Sequence, residues 1–188
     1  LGADDLDAAP IVVDGDVIYF GLTDFGVLLI DRYTGDIIDM WTEDSNSGLP
    51  DNDVLSLHLD YYGGLLVGME VQNNGASSNQ GLSRWDGSSW AYFATSIPGG
   101  NNDPYAFYDI TSDVDGIYAA TNRGACYWNW TTNGGSYYDL DACVSPMDTQ
   151  ARFSQTYSVE MIASDRLLAG TNQGAALINT DNNSVIET

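Results

Sequence analysis

A unit of about 50 residues recurs four times along this chain, and no other feature limits its fold so tightly. Gly26-Val27-Leu28-Leu29-Ile30-Asp31 returns as Gly81-Leu82-Ser83-Arg84-Trp85-Asp86, as Gly124-Ala125-Cys126-Tyr127-Trp128-Asn129 and as Gly174-Ala175-Ala176-Leu177-Ile178-Asn179. Each copy follows an apolar run ending in a small residue, Gly21, Gly68, Ala120 or Gly170, at spacings of 47, 52 and 50. A turn and a first strand precede each of these pairs, as in Gly48-Leu49-Pro50-Asp51-Asn52-Asp53 followed by the alternating run Val54 to Leu59.

First strands are read at Ile11-Val12-Val13, Val54 to Leu59, Ala106 to Thr111 and Tyr157 to Ile162. Last strands are read at Ile37 to Trp41, Trp90 to Phe93, Tyr137 to Leu140 and Ser184 to Ile186. Period-two alternation and hairpin signals such as Thr34-Gly35-Asp36, Asp86-Gly87-Ser88-Ser89 and Asn133-Gly134-Gly135 argue for strands over helices. Four antiparallel strands per unit predict an all-β chain, a β-propeller of four blades at about 11–42, 54–94, 105–141 and 156–187 within one domain over 1–188. A β-sandwich is the alternative, which the regular period disfavours. One twisted sheet cannot cover its own apolar faces, whereas a packed neighbour can, so Ile30, Trp85, Trp128 and Ile178 are expected at equivalent places. The small residues suit the crowded inner part of such a ring. The aromatics Trp41, Trp90, Phe93, Tyr137 and Tyr138 are expected to pack between blades, with a sugar-stacking platform as the alternative. The first unit starts on its own first strand and the last ends on its own fourth. No interlock joins the ends, so the four blades are expected to belong to a larger propeller or a self-assembled complex.

Charge excludes some partners. Twenty-seven acidic residues face five arginines and no lysine, for a net charge of −22. Phosphate backbones and anionic lipid do not find the cationic groups they need there, which argues against nucleic acid. Such a surface suits salt-rich or calcium-rich extracellular surroundings, where its self-repulsion is screened. No apolar run reaches the roughly 20 residues of a membrane helix, and the initial Leu1 reads as a processed or trimmed end. Cys126 and Cys143 flank the turn region 131–136 and are expected to form a disulfide, which implies an oxidising compartment. Two cysteines and one histidine do not make a usual zinc site.

Site signals are sparse. Between second and third strands, the second unit carries an insertion whose polar residues Gln72, Asn73, Asn74, Ser77, Ser78, Asn79 and Gln80 form the candidate binding loop. Asp113-Val114-Asp115-Gly116 begins like a calcium loop, but Gly124 stands where the closing Glu is needed, so a turn is the better reading. Asp51 with Asp53 and Asp14 with Asp16 read the same way. No cofactor is expected; Ca²⁺ is the one ion that such pairs leave open. His58 alternates with Leu57 and Leu59 and should face a different surface; without a nucleophile motif it is weak evidence for catalysis. Asn129 and Asn182 open N-glycosylation triplets at hairpin turns.

The second unit resembles the two-component regulator propeller repeat in Gly48-Leu49-Pro50, Val54, Asp60, Gly63-Gly64, Gly68-Met69 and Gly81-Leu82-Ser83-Arg84-Trp85. The fourth keeps Gly170-Thr171 and Gly174, while units one, three and four lack Gly-Leu-Pro and Leu66 stands at the usual tryptophan. The resemblance implies an extracytoplasmic ligand-sensing or protein-binding module whose motif is structural, with no catalytic residue. The expected function is therefore an extracellular or cell-surface, non-enzymatic binding or structural module, recognising protein or glycan. A ligand-sensing receptor domain and a polysaccharide-active enzyme are the alternatives; the enzyme would need two carboxylates at a set separation, and no local arrangement marks such a pair.

Overall fold

The computed structural model describes residues 9–45, 48–70, 81–93, 104–130, 137–138, 140–144 and 155–188. All its regular elements are strands. The first sheet is β1 (Ile11–Asp14), β2 (Val17–Leu22), β3 (Gly26–Asp31) and β4 (Ile37–Trp41), in that order and antiparallel throughout. The second is built from β5 (Val54–Leu59), β6 (Leu65–Met69), β7 (Leu82–Trp85) and β8 (Trp90–Phe93). The third contains β9 (Phe107–Ser112), β10 (Gly116–Thr121) and β11 (Gly124–Asn129), and the fourth β14 (Thr156–Ala163), β15 (Arg166–Thr171), β16 (Gly174–Asn179) and β17 (Ser184–Glu187).

Two short strands depart from the expected plan. β12 (Tyr137–Tyr138) does not close the third sheet; it pairs in parallel with β8, Tyr137 opposite Tyr92, and makes the second sheet five-stranded. The fourth strand of the third sheet is instead β13 (Ala142–Val144), antiparallel to β11. The cause is Cys143, which lies opposite Cys126 in this register and is bonded to it. With 142–144 fixed on β11, the preceding dipeptide adds to the outer edge of β8, the last strand of the second sheet.

Turn chemistry explains where strands end. Asp31 Oδ1 accepts the backbone N–H groups of Tyr33 and Thr34, both at 2.8 Å, and Asp86 does the same for Ser88 and Ser89 at 2.8 Å. At the other hairpin ends Asp60 holds Tyr62 and Gly64, and Asp113 holds Asp115 and Gly116. These are Asx turns, in which a short acidic side chain stands in for a backbone carbonyl. The hydrogen bonds favour the ionised form, so the carboxyls of Asp31 and Asp86 are held below the usual range, chiefly by the N–H of Thr34 and of Ser89. Several of the acidic residues thus serve turns. The Asp113 segment and Asp51, which accepts from Asp53 N at 3.0 Å, are turns as expected.

The sheets pack in sequence, and each junction has its own apolar core. Between the first and second lie Val27, Leu29 and Trp41 against Val54, Leu65 and Val67. Between the second and third lie Leu66 and Leu82 against Phe107, Ile117 and Trp128, and between the third and fourth Tyr118 and Ala120 against Val159, Leu167 and Ile178. Each sheet therefore has a forward face, carrying Gly21, Gly68, Ala120 or Gly170, and a rear face that meets the forward face of the sheet before it. Ile30, Trp85, Trp128 and Ile178 stand opposite Ile18, Leu65, Ile117 and Leu167, so the four positions are equivalent. Trp41, Trp85 and Trp90 meet at centroid distances of 5.4 to 5.6 Å between the first two sheets, and Phe93 lies edge-on to Trp128 between the next two. Trp41, Trp90 and Phe93 thus pack between sheets, while the side chains of Tyr137 and Tyr138 lie outside the described residues.

Candidate functional site

In the last three sheets the first strand carries an extra, unpaired residue near its start: Leu55 between Val54 and Ser56, Tyr108 between Phe107 and Asp109, Tyr157 between Thr156 and Ser158. A bulge of this kind turns a side chain out of the pleat and is a common way to aim a residue at a rim. Two of the three are tyrosines, and their rings meet at 5.3 Å. Tyr157 donates its hydroxyl to Gln155 Oε1 at 2.7 Å. Burial, then the charge of Glu70, raises the pKa of Tyr108, with Tyr105 and Tyr157 adding to it.

Glu70 belongs to this rim because its backbone bridges to Ala106 and its N–H donates to Asp53 O at 2.9 Å. Asn122 Oδ1 holds the adjoining segment by accepting from Tyr105 N at 3.0 Å. The base of the second-unit insertion is pinned at the same end, with Met69 N donating to Gly81 O at 2.8 Å. The insertion itself, with Gln72, Asn73, Asn74, Ser77, Ser78, Asn79 and Gln80, lies outside the described residues. The residue before it, Glu70, lies near Tyr105 and Tyr108, so one rim gathers an aromatic pair, a carboxylate and the base of the loop. Sequence reasoning missed the tyrosines; their signal was an aromatic one step into a first strand, at 108 and again at 157.

The opposite rim carries a second aromatic group. Tyr61 and Tyr62 are 64% and 58% exposed, and Tyr62 stands edge-on to Trp130 at 5.3 Å. The Arg84 guanidinium lies 5.8 Å over the Trp130 ring and is ion-paired with buried Asp60. Trp130 Nε1 donates to Asp113 O at 2.9 Å within the third unit, and Tyr62 donates its hydroxyl to Val114 O at 3.2 Å across the second and third sheets.

The remaining expected residues fall elsewhere. His58 faces the third sheet, away from Leu57 and Leu59, with Nε2 3.1 Å from Ser112 Oγ; burial lowers its pKa despite nearby Asp109, Asp60 and Glu160. Asn182 is exposed in the β16–β17 turn, where its Oδ1 accepts from Ser184 N at 3.1 Å. Asn129 is half-buried at the end of β11. Among the described residues, no three His, Cys, Asp or Glu side chains converge as a metal site would require.

Solved structures place this geometry. The extracellular domains of two hybrid two-component systems from B. thetaiotaomicron, BT4673 and BT3049, align with TM-scores of 0.69 and 0.65 at 14% and 16% identity. Each match covers 95% of this chain and 21% of the other. The β-propeller domain of Swd1 from Myceliophteria thermophila aligns with a TM-score of 0.64 at 19% identity, over 95% of this chain and 54% of that one. The fold is a β-propeller. The chain spans about a fifth of the two-component domains it matches and about half of the Swd1 propeller. No protein-family model and no curated protein matches the sequence. The resemblance to the two-component regulator repeat therefore stands as a shared propeller fold.

Proposed function

We propose that this propeller is an extracytoplasmic, non-enzymatic binding module that takes its ligand on the rim formed by Glu70, Tyr105, Tyr108 and Tyr157, together with the insertion that joins Glu70 to Gly81. The observation that carries this reading is the pair of bulges that bring Tyr108 and Tyr157 ring to ring beside the stem of the longest second-to-third-strand loop. Paired aromatics with a carboxylate and amide-rich loop fit a polar ligand with apolar faces, such as a peptide or an oligosaccharide. The likeness to ectodomains of two-component systems supports an extracytoplasmic sensing context, and the Cys126–Cys143 disulfide fits an oxidising compartment. A hydrolytic role finds less support. The histidine is engaged with Ser112 between two sheets, and Ser112 Oγ also accepts from Tyr61 N at 3.2 Å.

The test is a binding screen of the chain against immobilised oligosaccharides and peptides. Replacing both Tyr108 and Tyr157 by alanine, or residues 72–80 by a short Gly-Ser link, should weaken any hit at least tenfold, about 1.4 kcal/mol. Tyr61→Ala on the opposite rim should leave it unchanged. Hits that survive both rim variants and are lost with Tyr61→Ala would move the site to the other rim.

A further inference from the structure

Among the described residues the two end sheets each keep one face without a partner, and the interior junctions show what those faces are made to meet. On the rear face of the first sheet lie Ile11, Ile18, Phe20, Leu28, Ile30 and Met40, which the register places side by side. Ile11 is 57% exposed and Met40 36%, whereas the same positions as Ile11 in the third and fourth sheets, Ile110 and Val159, are 4% and 3% exposed. On the forward face of the fourth sheet lie Ser158, Glu160, Leu168, Gly170, Ala175 and Leu177. Leu168 is 42% exposed, while its equivalents Leu66 and Tyr118 are 0% and 4%.

Polar details repeat as well. Ser56, opposite Gly68, donates its hydroxyl to Phe107 O at 2.8 Å, a carbonyl on the first strand of the next sheet. Asp109, opposite Ala120, accepts from Val159 N at 3.0 Å on the next first strand again. Ser158, opposite Gly170, holds the same place and is exposed, in a concavity of about 420 Å³ that Glu160, Leu168 and Ala175 also line. The vacant forward face has the small residue, the hydroxyl and the hollow that accept a first strand elsewhere in this molecule.

We infer that a second copy of this chain fills both faces: the fourth sheet of each copy takes the first sheet of the other, closing a two-fold ring of eight blades. One chain carries both halves of the junction but does not bring them together, and two copies leave neither half uncovered. Each face is four strands wide and about five residues deep, roughly 300 Å²; the four faces of a closed pair come to about 1,200 Å², the size of a specific interface. Charge permits this contact where it opposes others. The net charge is −22, yet the six side chains named on the first sheet carry no charge, and the forward face of the fourth carries Glu160 and Glu187 together with Arg166 of opposite sign. The inference does not rest on the ligand rim, which lies outside both faces.

Light scattering on the purified chain at about 1 M NaCl, which shortens the Debye length to about 3 Å, is the test. A mass of twice 20.3 kDa is expected. Phe20→Glu or Leu168→Glu should each give a monomer with an unchanged circular dichroism spectrum, because both side chains point away from the internal cores. Mixing the two variants restores one intact junction and should return a paired species. A wild-type monomer overturns the inference, as does a pair that neither substitution disturbs, or two variants that fail to associate on mixing.

Discussion

An added methyl group at Gly68 has nowhere to go. Its Cβ would lie 2.2 Å from Ser56 Oγ and 2.9 Å from both Cβ and O of Phe107, and moving the serine breaks its bond to the next sheet. At Gly170 the same atom would meet only Ser158, with Oγ at 2.5 Å, and that hydroxyl has open space to turn into. Gly68→Ala should therefore cost about 1–3 kcal/mol, the usual penalty of overpacking. Gly170→Ala should stay within about 0.5 kcal/mol, the usual range of an open surface position. Urea unfolding in the monomeric Phe20→Glu background measures both without a contribution from association, and equal losses at the two sites would show that the fourth forward face is closed after all. The sequence marks both glycines by the same repeat; nothing in it says which of them has a neighbour, because that depends on how many sheets follow.

Individual strands differ in how far sequence reaches them. Hairpins with a glycine turn and an Asx residue were legible, since the same local chemistry that reads as a turn also builds it: Asp31 and Asp86 do in space what their spacing suggests. Tyr137 and Tyr138 were not. A two-residue aromatic strand carries no mark of which sheet edge it joins, and the choice was made by a distant constraint, the bond that holds Cys143 opposite Cys126. The rim tyrosines were hidden for a related reason, because a bulge is a property of pairing and alternation alone does not reveal it. The disulfide spans 17 residues, a loop whose closure is worth about 3 kcal/mol in the chain-entropy account. Reduction, or Cys126→Ser with Cys143→Ser, should lower the unfolding free energy by about that amount, followed by urea denaturation with and without reductant. An unchanged midpoint would show that β13 is held by packing alone.

For the whole molecule the repeat was decisive, because four copies of one unit with buried interior sheets leave few arrangements other than stacked blades. Burial follows position in the row: β6 and β10 are buried on both faces, whereas in β15 only Leu167 and Ala169 are buried. What the repeat could not convey is how twenty-seven acidic residues with five arginines coexist in one compact body. Some carboxylates are anchored by turn N–H groups, as at Asp31, Asp60, Asp86 and Asp113. Among the described residues two ion pairs are formed, Arg84 with Asp60 and Arg166 with Asp165, so most of the negative charge meets solvent and other negative charge. That repulsion opposes compaction and is relieved by counterions, with a Debye length falling from about 10 Å at 0.1 M salt to about 3 Å at 1 M. The unfolded chain spreads the same charge over a larger volume and gains less from screening. Thermal midpoints should therefore rise steadily between those concentrations, for NaCl and KCl alike, and in the monomeric Phe20→Glu variant as well as in the wild type. Sucrose, which favours compact states by exclusion without screening charge, provides the contrast. A midpoint that rises in sucrose but stays level in NaCl would show that the acidic surface is already neutralised by local structure.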